Sequence, residues 1–484
     1  MAEDSRDGQL WTVHGSPSAL RGLAQRPSGE PLELHLHRRP GPVGLQEAIA
    51  VALRFRRPRG TEDILPERAG HWQFLEARIR NVMSRFGYRE VRTPILEEAE
   101  LFVRSVGEDT DIVSKEMYTF QDRGGRWMAL KPEGTAPVVR AYLEHGFHRQ
   151  GGLVKLYYLS PIFRYEKPQA GRYRQSHQFG AEAIGSGEPA LDVEVIDLAM
   201  SIYREVGLSN FALLLNSVGC HKCRPAYREA LLRFARAGQD QLCEDCRRRM
   251  EVNPLRILDC KEKGCRRTMV KAPVFSDYLC PDCRAHFEEV QGSLRDLGIP
   301  YRVEPRLVRG LDYYTRTAFE VVHGGLGAQN AIGGGGRYDG LVEELGGPST
   351  PALGFAGGME RTLMALEAEG RLPERDEQVE AFVAYTDDPG KEVFPKVLSQ
   401  LRRAGVGADG AYTVQSLKAQ LRQANRKGAR YVVILGGEEL RRGKVVVRDM
   451  RRSEQEEVPL EEVLGFMSNK DRSVWGPQKY KGGR

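Results

Sequence analysis

Eight cysteines occur in this 484-residue chain, and all of them fall between Cys220 and Cys283. Six form C-x-x-C pairs, Cys220/Cys223, Cys243/Cys246 and Cys280/Cys283, while Cys260 and Cys265 are spaced C-x-x-x-x-C. A disulfide framework would need a secreted chain, yet the first residues (MAEDSRDGQLWTVHG) have neither the basic nor the apolar region of a signal peptide. The expectation is therefore an intracellular, cytoplasmic protein with thiols kept reduced. Clustered pairs of this kind suit thiolate ligation of a metal, with two four-cysteine zinc sites as the fullest arrangement and the pairing left open. Reduced thiols partly buried in a helical module are the alternative. In both cases the cysteines mark a separate module in the middle of the chain.

On its N-terminal side, Trp72, Leu75, Ile79, Val82 and Phe86 recur at three- and four-residue spacing. That period predicts an amphipathic helix of about five turns ending at Gly87. Tyr88–Ile95 follows as a strand broken by Pro94, and further strands are expected at Leu153–Ser160, Gln178–Ile184 and Phe211–Asn216, with a helix over Leu191–Val206. Beyond the cysteines, strand-like sequence resumes at Tyr301 and runs through Arg309–Val322, the glycines Gly333–Gly336 and Leu353–Arg361. Strands with few βαβ alternations favour an antiparallel sheet flanked by helices, an α+β fold. The simplest organisation is one domain made of residues 55–218 and 296–370, with a helical Cys-rich insertion at 219–295. A polar hinge at 371–378 leads to a small α/β domain at 379–466, with strands at Glu380–Tyr385, Tyr431–Leu435 and Lys444–Asp449 and helices at Lys391–Ala404 and Ser416–Lys427. Residues 1–54 contain five prolines, no lysine and no hydrophobic period, and read as a poorly ordered extension, with Val51 a candidate alternative start.

No apolar run approaches the roughly 20 residues that a membrane-crossing helix needs. The net charge of +6 is too mild to name a partner as a total, but its location is informative. Residues 380–484 hold 20 Lys and Arg against 14 Asp and Glu, and the remainder holds 52 of each. Within that region Lys418, Arg422, Arg426 and Arg430 recur every four residues and predict a basic stripe facing phosphates, against the plainer reading of a solvated helix face. The tail from Met467 to Arg484 adds five basic residues with Trp475 and Tyr480.

Two further segments can meet phosphate. Phe163-Arg164-Tyr165-Glu166 and Tyr173–Gln178 read as two strands joined by a basic loop, in which Arg164 can hold a phosphate bidentately and Lys167, Gln169 and Arg172 can reach a nucleic-acid end. Leu353-Gly354-Phe355-Ala356-Gly357-Gly358-Met359-Glu360-Arg361 places an Arg at a glycine-rich helix start. Each taken singly is a common surface feature. Neither P-loop nor dinucleotide-binding glycine spacing is present.

Taken together these segments resemble motifs two and three of class II aminoacyl-tRNA synthetases, and the helix and strand ending at Pro94 resemble motif one. Pro58–Pro66 (PRGTEDILP), Lys131–Pro137 (KPEGTAP), Leu307–Glu320 (LVRGLDYYTRTAFE) and Gly334–Leu341 (GGGRYDGL) are similar to histidyl-tRNA synthetases of bacterial type. The resemblance spans about residues 55–465 and implies ATP-dependent joining of L-histidine to tRNA(His) through a histidyl-adenylate. It implies that Glu133, Thr135 and Gln178 hold the amine of histidine, that Glu182 and Tyr314 bond the imidazole, and that Tyr313 and Tyr338 line its pocket. Arg164 would grip the α-phosphate of ATP and Arg361 the γ-phosphate, with Mg2+ bridging the phosphates, while Arg309 would neutralise charge developing at the α-phosphate. The loop with Lys167, Gln169 and Arg172 would meet the acceptor end of tRNA, the C-terminal domain its anticodon arm, and motif one a second copy of the chain in a homodimer. For single residues, strand packing of the tyrosines and a solvated turn at Glu133 are the competing accounts.

Two departures and one rival belong with this reading. Ser176 stands where the family more often has Phe, which implies looser packing beneath the motif-two hairpin. The family's insertion often lacks most of these thiols. Paralogues that act as regulatory subunits of ATP phosphoribosyltransferase commonly lack the C-terminal domain, whereas this chain carries that domain together with Glu133, Arg164, Arg309 and Arg361.

Overall fold

The computed structural model describes residues 55–469 apart from 109, 328–329, 374–378 and 414. The N-terminal extension, most of the hinge and the basic tail beyond Asn469 thus lie outside the described residues. The chain divides into two compact units, one ending at Pro373 and one beginning at Glu374.

In the first unit the strands are β1 (Arg89–Glu90), β2 (Leu96–Glu98), β3 (Tyr118–Gln121), β4 (Trp127–Leu130), β5 (Val154–Phe163), β6 (Gln175–Ile184), β7 (Phe211–Ser217), β8 (Tyr301–Val303), β9 (Thr315–His323), β10 (Ala331–Arg337) and β11 (Ala352–Gly358). Its helices are α1 (Pro66–Arg85), α2 (Ala99–Val106), α3 (Thr135–Glu144), α4 (Pro189–Glu205), α5 (Arg224–Ala237), α6 (Glu244–Val252), α7 (Lys263–Met269), α8 (Pro281–Asp296), α9 (Leu341–Glu344) and α10 (Met359–Ala368). Eight strands form one sheet in the order β1-β5-β6-β11-β10-β9-β7-β8, and β2-β4-β3 form a second. The large sheet is antiparallel from β5 to β7 and parallel at both edges, in the pairs β1/β5 and β7/β8. Helix α1 starts with Pro66, whose missing N–H is no loss in a first turn, and buries Trp72, Leu75, Ile79 and Val82 in a core shared with α4, α10 and the sheet.

Three expectations need correction. The strand proposed for Tyr88–Ile95 pairs only over Arg89–Glu90; Pro94 cannot donate to a ladder, and from Leu96 the chain joins the second sheet. The strand proposed from Arg309 starts only at Thr315. Residues 304–314 form a loop with turns at 305–306 and 312–313, and within it the adjacent Tyr313 and Tyr314 are both buried. The insertion is helical, but α8 is not wholly part of it: Phe287, Val290 and Leu294, at helical spacing, pack into the main core of the first unit against α4.

The second unit contains β12 (Ala381–Tyr385), α11 (Asp388–Arg403), β13 (Ala408–Gly410), α12 (Leu417–Arg426), β14 (Tyr431–Leu435), α13 (Gly437–Arg441), β15 (Lys444–Asp449), β16 (Glu454–Pro459) and α14 (Val463–Asn469). The sheet order is β13-β12-β14-β15-β16, parallel on the β13 side and antiparallel on the other. Strands β12 and β14 are buried at every position, as strands covered on both faces must be. The strands β13 and β16 and the helices α13 and α14 go beyond the sequence reading. β13 is three residues long, and β16 (EQEEVP) is a polar edge strand with little hydrophobic signature.

Candidate active site

Two carboxylates anchor a buried polar cluster on the large sheet. Glu133 precedes α3 and accepts the first free N–H groups of that helix, from Thr135 (2.7 Å) and Ala136 (2.8 Å). Glu182 on β6 accepts from Thr135 Oγ1 (2.8 Å) and Tyr338 OH (2.6 Å). Among the described residues neither acid is ion-paired, although both are almost fully buried. Desolvation pushes the Glu133 carboxyl up against the pull of its backbone donors, and pushes Glu182 up to about 8 against Tyr338 and Thr135. Two buried acids with no ion pair among the described residues suit a ligand that brings N–H donors.

Gln178 lies four residues before Glu182 on the same strand face, and its Oε1 is buried without a hydrogen-bond partner. The hydroxyl of Tyr158 on β5 is likewise buried and unpartnered. Tyr313 and Tyr338 meet edge to face with centroids 5.6 Å apart, and Tyr313 and Tyr314 lie 4.7 Å apart. Burial raises the phenol pKa of Tyr158, Tyr313, Tyr314 and Tyr338, so all four stay neutral donors. Thus Glu133, Thr135, Glu182, Tyr313, Tyr314 and Tyr338 come together, Tyr158 joins them, and Gln178 lies farther along the same face of β6. Tyr158 sits in the strand-like run LVKLYYLS, whose pattern does not say which face points to a ligand.

The arginines form a second group. Arg164 follows β5 and donates through Nε to the Pro132 carbonyl (2.8 Å). Arg361, in the first turn of α10, donates to the carbonyls of Gly171 (3.1 Å) and Ala331 (2.7 Å). Arg309 donates to Glu320 Oε2 (2.6 Å). Anchoring these side chains by their own hydrogen bonds fixes their direction before a ligand arrives. Glu360 accepts from the N–H of His177 on β6 and contacts its Nδ1 at 2.9 Å, tying the start of α10 to the strand that carries Gln178. Neither Glu360 nor His177 stands out in the sequence as a positioning residue.

Two glycines are there because side chains lie on them. A Cβ at Gly354 would stand 1.8 Å from Glu182 Oε2, and one at Gly334 would stand 2.7 Å from Arg309 Nη1. The glycine-rich strands β10 and β11 therefore serve as a floor for the acid and the arginine. Ser176 pairs with Ile162 in the β5/β6 ladder and is half-buried, touching none of these groups through a side-chain hydrogen bond.

In the hairpin, Lys167 and Gln169 are exposed, Gln169 and Arg172 exchange backbone hydrogen bonds, and Arg172 pairs with Glu166 (2.8 Å). In the second unit Lys418, Arg422 and Arg426 lie exposed along α12. Arg430 leaves this stripe: the helix ends at Arg426, the chain turns at Gly428 with φ 69°, and the Arg430 guanidinium lies over the Tyr431 ring at 5.0 Å. The cysteines resolve into two groups, Cys220/Cys223/Cys280/Cys283 and Cys243/Cys246/Cys260/Cys265, each with its sulfurs within 4.8 Å of one another. Sγ–Sγ separations of 3.7 and 3.9 Å are too long for disulfides and match the roughly 3.8 Å edge of a tetrahedral zinc–thiolate site.

A family profile described as histidyl-tRNA synthetase matches residues 60–362, and one described as anticodon binding domain matches residues 380–470. The chain belongs to the histidyl-tRNA synthetase family. It is 54% identical over 419 residues to the histidine–tRNA ligase of Moorella thermoacetica, covering 87% of this chain and 99% of the relative. It is 52% identical over 411 residues to that of Desulforamulus reducens, covering 85% and 98%. The crystal structure of apo S. aureus histidyl-tRNA synthetase superposes with a TM-score of 0.73 at 39% identity, covering 85% of this chain and 99% of that one. No helix among the described residues is long and apolar enough to cross a membrane.

Proposed function

We propose that this chain charges tRNA(His) with histidine in two steps, and that the pocket residues divide the work by charge. Glu133, Thr135 and Gln178 receive the histidine ammonium, and Glu182, with Tyr314, receives the imidazole. The observation that carries this reading is the pair of buried, unpaired carboxylates joined through Thr135. With the ammonium and the imidazole both held, the histidine carboxylate is aimed at the α-phosphate of ATP. Arg164 grips that phosphate, Arg361 the γ-phosphate, and Arg309 neutralises the charge that builds as diphosphate departs. The terminal ribose hydroxyl of tRNA then attacks the adenylate carbonyl, releasing AMP. No protein nucleophile is needed; the residues position and stabilise.

Glu320, beside Arg309, and Glu166, beside Arg172, are carboxylates that would help hold a magnesium ion carried by ATP. The cation would offset phosphate charge there. The two cysteine groups would each hold a structural zinc, since their spacing and all-sulfur donor sets fit that ion. Lys167, Gln169 and Arg172 would meet the acceptor end, and Lys418, Arg422 and Arg426 the anticodon arm, without Arg430, which turns away from that stripe. A cytoplasmic homodimer completes the reading. Charging of tRNA(His) transcripts with radiolabelled histidine tests it: incorporation with histidine and with no other amino acid is expected, and failure to charge tRNA(His) would refute it.

A further inference from the structure

The loop 304–314 carries Arg309, Tyr313 and Tyr314 but belongs to no strand, so something else must hold it. Part of its support comes from β7, where Asn216 Nδ2 donates to the carbonyls of Pro305 (3.2 Å) and Leu307 (2.9 Å). The rest comes from the insertion. Arg256 Nη1 donates to the Gly310 carbonyl (2.6 Å), Asn253 Nδ2 to Asp312 Oδ1 (2.6 Å), and Arg224 to the Tyr314 carbonyl. Arg249 and Arg256 also meet Asp111 of the catalytic unit at 2.8 and 3.2 Å. A cavity of about 950 Å³ lies at this seam, lined by Arg224, Asn253 and Arg256 from one side and Arg309, Asp312 and Tyr314 from the other.

Every one of these donors is close in sequence to a cysteine. Arg224 directly follows Cys223, Arg249 lies three residues after Cys246, and Asn253 and Arg256 lie between Cys246 and Cys260. The first cysteine group joins the two necks of the insertion, Cys220/Cys223 and Cys280/Cys283, and the second joins α6 to the turns beyond it. The insertion's own core is small, and Cys223, Cys246, Cys260, Cys265 and Cys283 are five of its fifteen buried members. A module of this size with so few aliphatic side chains needs staples to hold a fixed shape. The backbone N–H groups of Cys243 and Cys280 point at Cys265 Sγ and Cys223 Sγ, both at 3.1 Å, as supporting donors to metal-bound thiolates do.

We infer that metal occupancy of the two cysteine clusters positions the 304–314 loop, making the insertion a metal-dependent clamp on histidine activation. The inference rests on the zinc reading given above. Zinc folds the insertion, the insertion holds Gly310, Asp312 and Tyr314, and the loop presents Arg309 and the pocket phenols. Arg224, Asn253 and Arg256 are positioning residues, since they act through that loop.

The test uses full-length protein purified without a polyhistidine tag. Elemental analysis should give two zinc ions per chain, and their removal with an organomercurial and a chelator should raise the histidine Kd, measured by calorimetry, at least tenfold. ATP affinity should move less than threefold, and added zinc should restore histidine binding. Arg256→Ala should keep two zinc ions and show the same split between histidine and ATP. Protein with no zinc above trace overturns the metal reading. Protein with two zinc ions whose removal, or whose Arg256→Ala variant, leaves histidine affinity unchanged overturns the clamp and leaves the metal reading standing. If the zinc-free protein unfolds, Arg256→Ala alone decides the clamp.

Discussion

Glu182→Gln separates the chemistry of the pocket from its packing. The Glu182 carboxyl is raised from the ordinary 4.5 to about 8, first by burial and further by the charge of Glu133. A group whose folded pKa is raised contributes stability fully below its unfolded pKa and loses it as pH climbs toward the folded value. Between pH 5 and pH 7 the unfolded chain ionises Glu182 while the folded chain keeps it neutral. At 1.36 kcal/mol per pH unit that removes roughly 2–3 kcal/mol of stability over this interval. Glutamine keeps an acceptor for Thr135 and Tyr338 but cannot titrate. Its constant effect on packing is the same at every pH, so the difference between parent and variant isolates the titration. Urea unfolding of the ligand-free proteins at pH 5, 6, 7 and 8 is the assay. The variant should gain on the parent by roughly 2–3 kcal/mol from pH 5 to 7, and its histidine Kd should rise at least tenfold. A stability difference that stays flat from pH 5 to 8 would refute the account of a dry, neutral acid awaiting its ligand.

Other substitutions probe the remaining parts. Arg309→Ala should lower the adenylation rate constant far more than it weakens histidine binding, measured by single-turnover kinetics and calorimetry; equal losses would contradict its role at the α-phosphate. Gly334→Ala places a Cβ 2.7 Å from both Arg309 Nη1 and the Phe319 carbonyl, and since the backbone cannot retreat, adenylation should fall at least tenfold with little change in fold by circular dichroism. Arg337 is fully buried, bound to Asp192 at 2.6–2.7 Å, and Asp192 also meets His286 at 3.1 Å, partners that hold its carboxyl below the ordinary range although burial alone would raise it. Asp192→Ala removes the shorter of that arginine's two ion pairs, leaving Asp339 at 3.3 Å, and should cost about 3 kcal/mol in unfolding experiments. Replacing Lys418, Arg422 and Arg426 with Gln should weaken tRNA binding and flatten its dependence on salt, read from Kd across a salt series, while histidine activation is unchanged.

What was legible in the sequence was whatever rests on period or on charge. The spacing of Trp72, Leu75, Ile79 and Val82 states a helix face, and α1 realises it. Arg164 and Arg361 could be singled out as an arginine at a strand end and an arginine at a glycine-rich helix start, whereas Glu133 and Glu182 were reached only through the resemblance to the family. The loop 304–314 was misread as strand because β-prone residues such as Tyr313 and Tyr314 have the same composition in a loop that turns both inward. Tyr158, Glu360 and His177 were missed because only the register of β5, β6 and β11 decides which side chains face the pocket. The cysteine pairing needed the three-dimensional path of the insertion, which brings Cys220 to Cys280 across 60 positions of chain. Arg430 shows the opposite error: a four-residue spacing continued past the end of the helix that gave it meaning.

The central claim is that the pocket built on Glu133, Glu182 and the three arginines activates histidine. Amino-acid-dependent exchange between ATP and labelled diphosphate measures that step without tRNA. Exchange that requires histidine, fails with the other amino acids, and drops at least a hundredfold in Arg309→Ala is the predicted result. No exchange with any amino acid, or equal exchange with another one, would contradict it.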